Sequence, residues 1–328
     1  MSLLTDVHDR IEQAREAPGC ASELHWTSFA EFFRSRLYDP RLVTRNFLTY
    51  CDDDRNLRRT YSYAEFGTIV ERMAEMFHAK FGLTRGDRIA TVLFNHDLTA
   101  LTYFAAWTLG VAVVPINVEE TPEKKRYILE HSEASVALCW QDVYEELKAL
   151  QSMLPALREV VALGDGGILD GKETRGKSRK NSHAVGARFA AGTSRLDDPA
   201  LIIYTSGTTG PPKGVILTVA NLLIDADAIA DRHGFGLTDR VMCVLPVHHV
   251  NGIVVTLMTP FYCKGSVVLN RKFKTGSFWR RLHEEQVTSV SVVPTLLEFL
   301  LDADEDLAAY RLDRFGGVIC GAGPLLKD

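Results

Sequence analysis

The sequence predicts an α/β fold made of two doubly wound subdomains. Short apolar runs of strand length alternate with amphipathic helical stretches in both halves of the chain. An apolar share of 46% over 328 residues is enough to bury one large core or two adjoining ones. A basic, polar stretch near the middle of the chain separates the two halves.

Residues 1–46 are expected to form a helical N-terminal segment, because Leu4, Val7 and Ile11, and then Phe29, Phe32, Phe33 and Leu37, recur at helical spacing. Residues 47–198 are expected to form the first subdomain. Phe47–Tyr50 and Thr60–Ser62 flank the polar run Cys51–Arg59 and predict a hairpin with a long loop. Ser62 and Glu65 have capping-box spacing and open a helix whose apolar face is Phe66, Ile69, Val70, Met73, Met76 and Phe77, ending near Gly82. A strand over Ile89–Phe94, a helix from about Asp97 to Leu109 and a strand over Val111–Ile116 make a β-α-β unit with a parallel pair. Thr121-Pro122-Glu123 starts the next helix, with proline tolerated in its first turn, and Val136–Trp140 reads as a strand.

From Gly164 to Asp198 large apolar residues become scarce and a basic run, Lys172–Lys180, appears, which predicts a mobile surface connection. Residues 199–328 are expected to form the second subdomain, with strands near Met242–Leu245, Ser266–Leu269, Ser289–Val293 and Val318–Cys320 separated by helices.

Composition limits the function. With 37 Lys and Arg against 42 Asp and Glu, the formal charge is −5, so affinity for phosphate must come from a local device and nucleic acid is not an expected partner. The six cysteines lie far apart without metal-ligand spacing, so they are expected to be reduced thiols and no metal site is assigned. Met1–Asp6 lacks a basic segment followed by an apolar run, and no stretch is long and apolar enough to span a bilayer. The expected compartment is the cytoplasm.

The chemistry is concentrated in Leu201–Leu217, where two apolar strand-like pieces bracket a loop rich in glycine and hydroxyl side chains. Glycines let several N–H groups converge, hydroxyls donate to phosphate oxygens and Lys213 adds a positive charge, so the loop suits a polyphosphate. It is not a Walker loop: Gly207 to Lys213 is the wrong length, and Gly214 stands where that motif needs Ser or Thr. The bland alternative is a flexible Gly/Ser/Thr linker, but linkers seldom lie between two apolar strands with a lysine at their end.

Tyr204–Gly214, YTSGTTGPPKG, resembles the signature loop of the AMP-forming adenylating superfamily, which contains acyl-CoA synthetases, luciferases and peptide-synthetase adenylation domains. Leu245–Gly252 and Ile319–Leu325 fit further motifs of that family in the expected order, and the similarity runs from about Phe47 onwards. The resemblance implies that Thr205, Ser206, Gly207, Thr208, Thr209, Gly210 and Lys213 hold the outer phosphates of ATP. Their role would be to disperse charge as pyrophosphate leaves.

It also implies that His249 stands between nucleotide and acyl pocket, where it donates a hydrogen bond. The competing reading is a hydrogen-bonded core histidine; His248 is left unassigned. Gly321, Ala322, Gly323 and Pro324 resemble the turn on which adenine and the acyl chain pack. Pro294–Leu297 resembles the start of a helix bordering the acyl site, although a core helix explains those leucines equally well.

The family continues with an aromatic-Gly-x-Thr-Glu segment whose glutamate helps bind Mg2+, an aspartate for the ribose, a hinge and a small C-terminal domain with a lysine. None of these is found up to Asp328, so the resemblance implies a truncated large N-terminal domain that lacks the small C-terminal one. The implied substrates are a carboxylic acid, ATP with Mg2+, and coenzyme A or a carrier-protein thiol. An acyl-CoA synthetase is preferred over an amino-acid-activating domain, because no acidic residue stands out for an α-ammonium group; a fatty-acyl-AMP ligase is a further member of the same class. A non-catalytic nucleotide-binding module, or half of a split enzyme, is the reading from a different class. A homodimer is expected if incomplete subdomains leave apolar edges open.

Overall fold

The structure is a computed structural model, and it describes residues 24–164, 167–168, 194–205, 211–303 and 305–323. The helix expected around Leu4–Ile11, most of the connection expected over 164–198, and Ser206–Gly210 and Pro324 of the expected site lie outside these residues.

Helix α1, Phe29–Leu37, is capped by the Ser28 side chain. It leads to the hairpin of β1, Asn46–Asp52, and β2, Leu57–Ser62. Helix α2, Tyr63–Phe81, carries the expected capping box of Ser62 and Glu65 and stops at Gly82, whose φ of 64° suits a residue without a Cβ. Strand β3, Arg88–Val92, helix α3, Asp97–Thr108, and strand β4, Ala112–Ile116, form the expected parallel β-α-β unit. Helix α4, Pro122–Ser132, begins with its proline in the first turn and is capped by Thr121. Strand β5, Val136–Trp140, helix α5, Tyr144–Gln151, and strand β6, Glu159–Gly164, continue the alternation, followed by the short β7, Gly167–Ile168.

Strands β8, Pro199–Thr205, and β9, Lys213–Thr218, are antiparallel, so the downstream side of the glycine-rich loop is a strand and not a helix. Helix α6, Val219–His233, follows with its own capping box, Thr218 and Asn221. Then come β10, Arg240–Cys243, a π-helical stretch over Asn251–Met258, the short α7, Thr259–Tyr262, and β11, Ser266–Asn270. Helix α8, Thr275–Glu284, β12, Ser289–Val292, α9, Pro294–Leu301, and β13, Gly317–Cys320, complete the described chain.

The strands form two sheets, ordered β13-β12-β10-β11-β1-β2 and β7-β6-β5-β3-β4-β8-β9. Each has a parallel centre and an antiparallel strand at one or both edges. The sheets do not divide where the sequence reading divides the chain. The hairpin β1–β2 joins the later strands, and β8–β9, beyond residue 198, close the sheet of the earlier ones. Period and length identify a strand but carry no information on which sheet accepts its edge.

One core connects the sheets. It packs α1, α2, α3, α6 and α7 between them, with Phe29, Phe33, Phe47, Phe66, Phe104 and Phe261 as an aromatic centre of edge-to-face and stacked rings. A second core lies under α4 and α5, and a third under α8 and α9. Each sheet is thus covered on both faces, as a parallel sheet requires.

Candidate functional site

The parallel strands of both sheets run so that their carboxyl ends carry nearly every residue singled out from the sequence. In open α/β sheets this is where ligands bind. Between the two sheets, at those ends, lies a cavity of about 770 Å3. Phe94 and Asn95 enter it after β3, Asn117 and Glu119 after β4, His248 and His249 after β10, Arg271 after β11, and Val293 and Leu296 after β12.

The segment from Leu245 to Gly252 is held from several sides. Asn95 is buried, and its amide nitrogen donates to Leu245 O at 2.9 Å and Asn270 O at 3.1 Å, while its oxygen accepts from Val247 N at 2.8 Å. One side chain just after β3 thereby ties down the ends of β10 and β11 in the other sheet. Tyr103 donates to Val247 O at 2.9 Å, and Ser291 bonds Asn251 at 2.8 Å. Gly252 sits against the Pro246 carbonyl; a Cβ there would come within 2.4 Å of Pro246 O, a backbone atom. Gly252→Ala is therefore expected to displace the histidine segment and lower stability by about 1–3 kcal/mol. Thermal melts check this, and an unchanged Tm would show that the turn adapts freely.

His248 and His249 stand side by side, with ring centroids 4.4 Å apart. His249 is exposed and hydrogen-bonds through its ring to no described residue, so it is not a hydrogen-bonded core histidine. Burial pushes the His248 pKa down to about 4, helped by its neighbour. Burial also lowers that of His249, with Glu120 working in the opposite direction. Both rings are thus neutral at neutral pH, and each keeps one N–H to donate.

Below a pH of roughly 6.5 the unfolded chain protonates His248, whereas the folded chain resists until about pH 4, so stability falls as pH drops through that window. His248→Gln is expected to lose less stability than the parent between pH 7 and about 4.5. Parallel loss in thermal melts would contradict this.

The base of the glycine-rich loop belongs to the other sheet. Thr205 ends β8 and Lys213 begins β9, and the two are partners across the ladder, both exposed. Helix α4 braces them: His131 Nδ1 lies 2.7 Å from the Tyr204 hydroxyl, and Tyr127 donates to Pro212 O at 3.0 Å. Burial pushes Tyr204 up to about 12, so its hydroxyl stays protonated. Lys213 has no ion pair to a described residue. Neither Thr205 nor Lys213 lines the 770 Å3 cavity.

Gly321, Ala322 and Gly323 follow β13. Gly321 N donates to Val292 O at 3.3 Å, and Gly323 lies beside Pro294, which a Cβ would meet at 3.3 Å. Ala322 has a φ of 66°, in the left-handed region, so the turn is fixed tightly against the start of α9. Through Val293 and Leu296 this corner borders the histidine cavity. The sequence reading missed Asn95, Tyr103, Tyr127, His131 and Ser291. Their partners are far away in the chain, and no local pattern marks them.

Comparison with known proteins agrees with this architecture. The family model described as AMP-binding enzyme matches residues 44–328. A sulfoacetate–CoA ligase of Cupriavidus necator is 34% identical over 229 residues, covering 69% of this chain and 43% of the relative. A 2-succinylbenzoate–CoA ligase of Bacillus licheniformis is 32% identical over 248 residues, covering 74% of this chain and 46% of the relative. The chain thus spans less than half the length of these relatives.

Among solved structures, the N-terminal domain of FACL13 from Mycobacterium tuberculosis superposes with a TM-score of 0.74 at 21% identity, covering 92% of this chain and 71% of that one. ATP-bound MatB from Rhodopseudomonas palustris gives 0.73 at 24%, covering 91% and 55%. These likenesses show that the chain shares its fold with the N-terminal domain of FACL13 and with the matched part of MatB. With its glycine-rich loop, its strand order and a family model covering residues 44–328, the chain belongs to the AMP-binding enzyme family.

Proposed function

We propose that this chain is the ATP- and acid-binding portion of an AMP-forming acid–thiol ligase. A carboxylate oxygen attacks the α-phosphorus of ATP, the bond to the β-phosphate oxygen breaks, and acyl-adenylate and pyrophosphate form. A thiol, that of coenzyme A or of a carrier protein, then displaces AMP. The observation that carries the reading is the loop base: Thr205 and Lys213 face each other across the ladder at the carboxyl edge of a parallel sheet, joined by a run of glycines and hydroxyl residues.

Lys213 and Thr205 stabilise the charge that grows on the outer phosphates, and the remaining hydroxyls and N–H groups of residues 206–210 add donors. His249 donates from its neutral ring to the acid or to the α-phosphate, and the Gly321–Gly323 turn offers a flat backbone surface to adenine. The protein supplies positioning and electrostatics, without a covalent nucleophile.

Mg2+ accompanies ATP as a charge-neutralising ion. Among the described residues no three His, Cys, Asp or Glu gather to hold a metal, so no step is assigned to a protein-held ion. The relatives named for sulfoacetate and 2-succinylbenzoate favour an organic acid and coenzyme A over an amino acid and a carrier.

The test is isotopic. An acid labelled with heavy oxygen in its carboxylate should pass one labelled oxygen to AMP, because that oxygen bridges carbon and phosphorus and stays with phosphorus when the thiol or water attacks the acyl carbon. AMP formed without label would rule out attack by the acid.

A further inference from the structure

The cavity between the sheets holds a cation that the adenylation chemistry above leaves unused. Arg271 follows β11, and its backbone N–H donates to Cys51 O at 2.8 Å. Its guanidinium carbon lies 3.8 Å from the centroid of the Phe94 ring. No hydrogen bond or ion pair links that guanidinium to any described residue. The neighbouring cations are engaged elsewhere. Lys272 pairs with Asp54 at 2.7 Å, Lys274 also pairs with Asp54, and Arg55 faces Asp52 at 3.9 Å.

A half-buried guanidinium with unspent donors is unfavourable unless something occupies them. Burial lowers the Arg271 pKa, but an arginine remains charged. Stacking on Phe94 covers one face and leaves the in-plane N–H fork free, the geometry that matches a carboxylate or sulfonate with two parallel bonds.

The geometry points to Arg271 as the residue that recognises a second anionic group on the acid, which makes the substrate a small dianion such as a dicarboxylate. This rests on the adenylation reading, which places the acid in the cavity beside His248 and His249. A phosphate of coenzyme A is the other possible source of such an anion. The cavity is lined by three acidic residues, Asp52, Asp54 and Glu119, and three basic ones, Arg55, Arg271 and Lys272, so it has no net charge to attract a polyphosphate. A single anionic group meeting one arginine fits that balance.

The experiment measures binding by calorimetry, with ATP present, of malonate, succinate, glutarate and phthalate, each against its monomethyl ester, to the parent chain, Arg271→Met and Arg271→Lys. Binding of ATP alone and of coenzyme A is measured in parallel. One diacid is expected to bind the parent at least about tenfold more tightly than its ester. Arg271→Met should abolish that preference while ATP binding and Tm stay, and Arg271→Lys should restore part of it.

A parent that binds ATP but does not prefer any diacid over its ester overturns the proposal and leaves the adenylation reading standing. So does a preference that survives in Arg271→Met, or a variant that loses affinity for coenzyme A alone. A parent that fails to bind ATP removes the adenylation reading and this proposal together.

Discussion

Lys213→Ala weakens binding of ATP by roughly 10- to 150-fold, the value of a lost hydrogen bond between charged groups, and leaves binding of AMP nearly unchanged. The asymmetry comes from position. Lys213 starts β9 at the mouth of the loop, opposite Thr205, and is exposed with no carboxylate among the described residues to neutralise it. In the proposed arrangement its ammonium meets the outer phosphates, which AMP lacks. Calorimetric titration of both nucleotides checks this, and equal losses for ATP and AMP would remove Lys213 from that role.

Asn95→Leu costs about 3–5 kcal/mol of stability and abolishes acid binding in whatever fraction still folds. The leucine fills similar volume but leaves Leu245 O, Asn270 O and Val247 N without partners in a buried place. Each orphaned group costs about 1–3 kcal/mol. Asn270 ends β11 and Leu245 and Val247 follow β10, whereas Asn95 follows β3 of the other sheet, so the change also uncouples the two walls of the cavity. Asn95→Asp tests the same clamp at nearly constant shape: its carboxylate accepts from Val247 but cannot donate to the two carbonyls. Denaturant unfolding of both variants checks the expectation, and a loss below about 1 kcal/mol would mean that the clamp is dispensable.

The local elements were readable because each carries its signal in consecutive residues. Ser62 and Glu65 announce the start of α2 and Gly82 its end, Thr121-Pro122 opens α4, and Val136–Trp140 has the length and composition of a buried strand. The glycine-rich loop is equally legible as a motif, since its residues are contiguous from Tyr204 to Gly214. Sheet membership was not. Nothing in Phe47–Ser62 reveals that β1 pairs with β11, some 220 residues later, with Leu48 opposite Val267.

The same limit hid the supporting residues of the site. Asn95 reaches residues 150 and 175 positions away, and Tyr127 reaches Pro212, 85 positions away. His248 is left unassigned by the motif, and only the cavity shows that both rings border the same space. What sequence motifs name is the chemistry, and what the fold adds is the set of buried side chains that hold it still.

The proposed activation of an acid with ATP is tested by pyrophosphate release from Mg-ATP by the purified chain across a panel of mono- and dicarboxylic acids, with ATP binding followed in parallel. The expected result is release that requires one class of acid and is lost in Lys213→Ala. Release of orthophosphate in place of pyrophosphate, release indifferent to every acid, or a chain that does not bind ATP would contradict it.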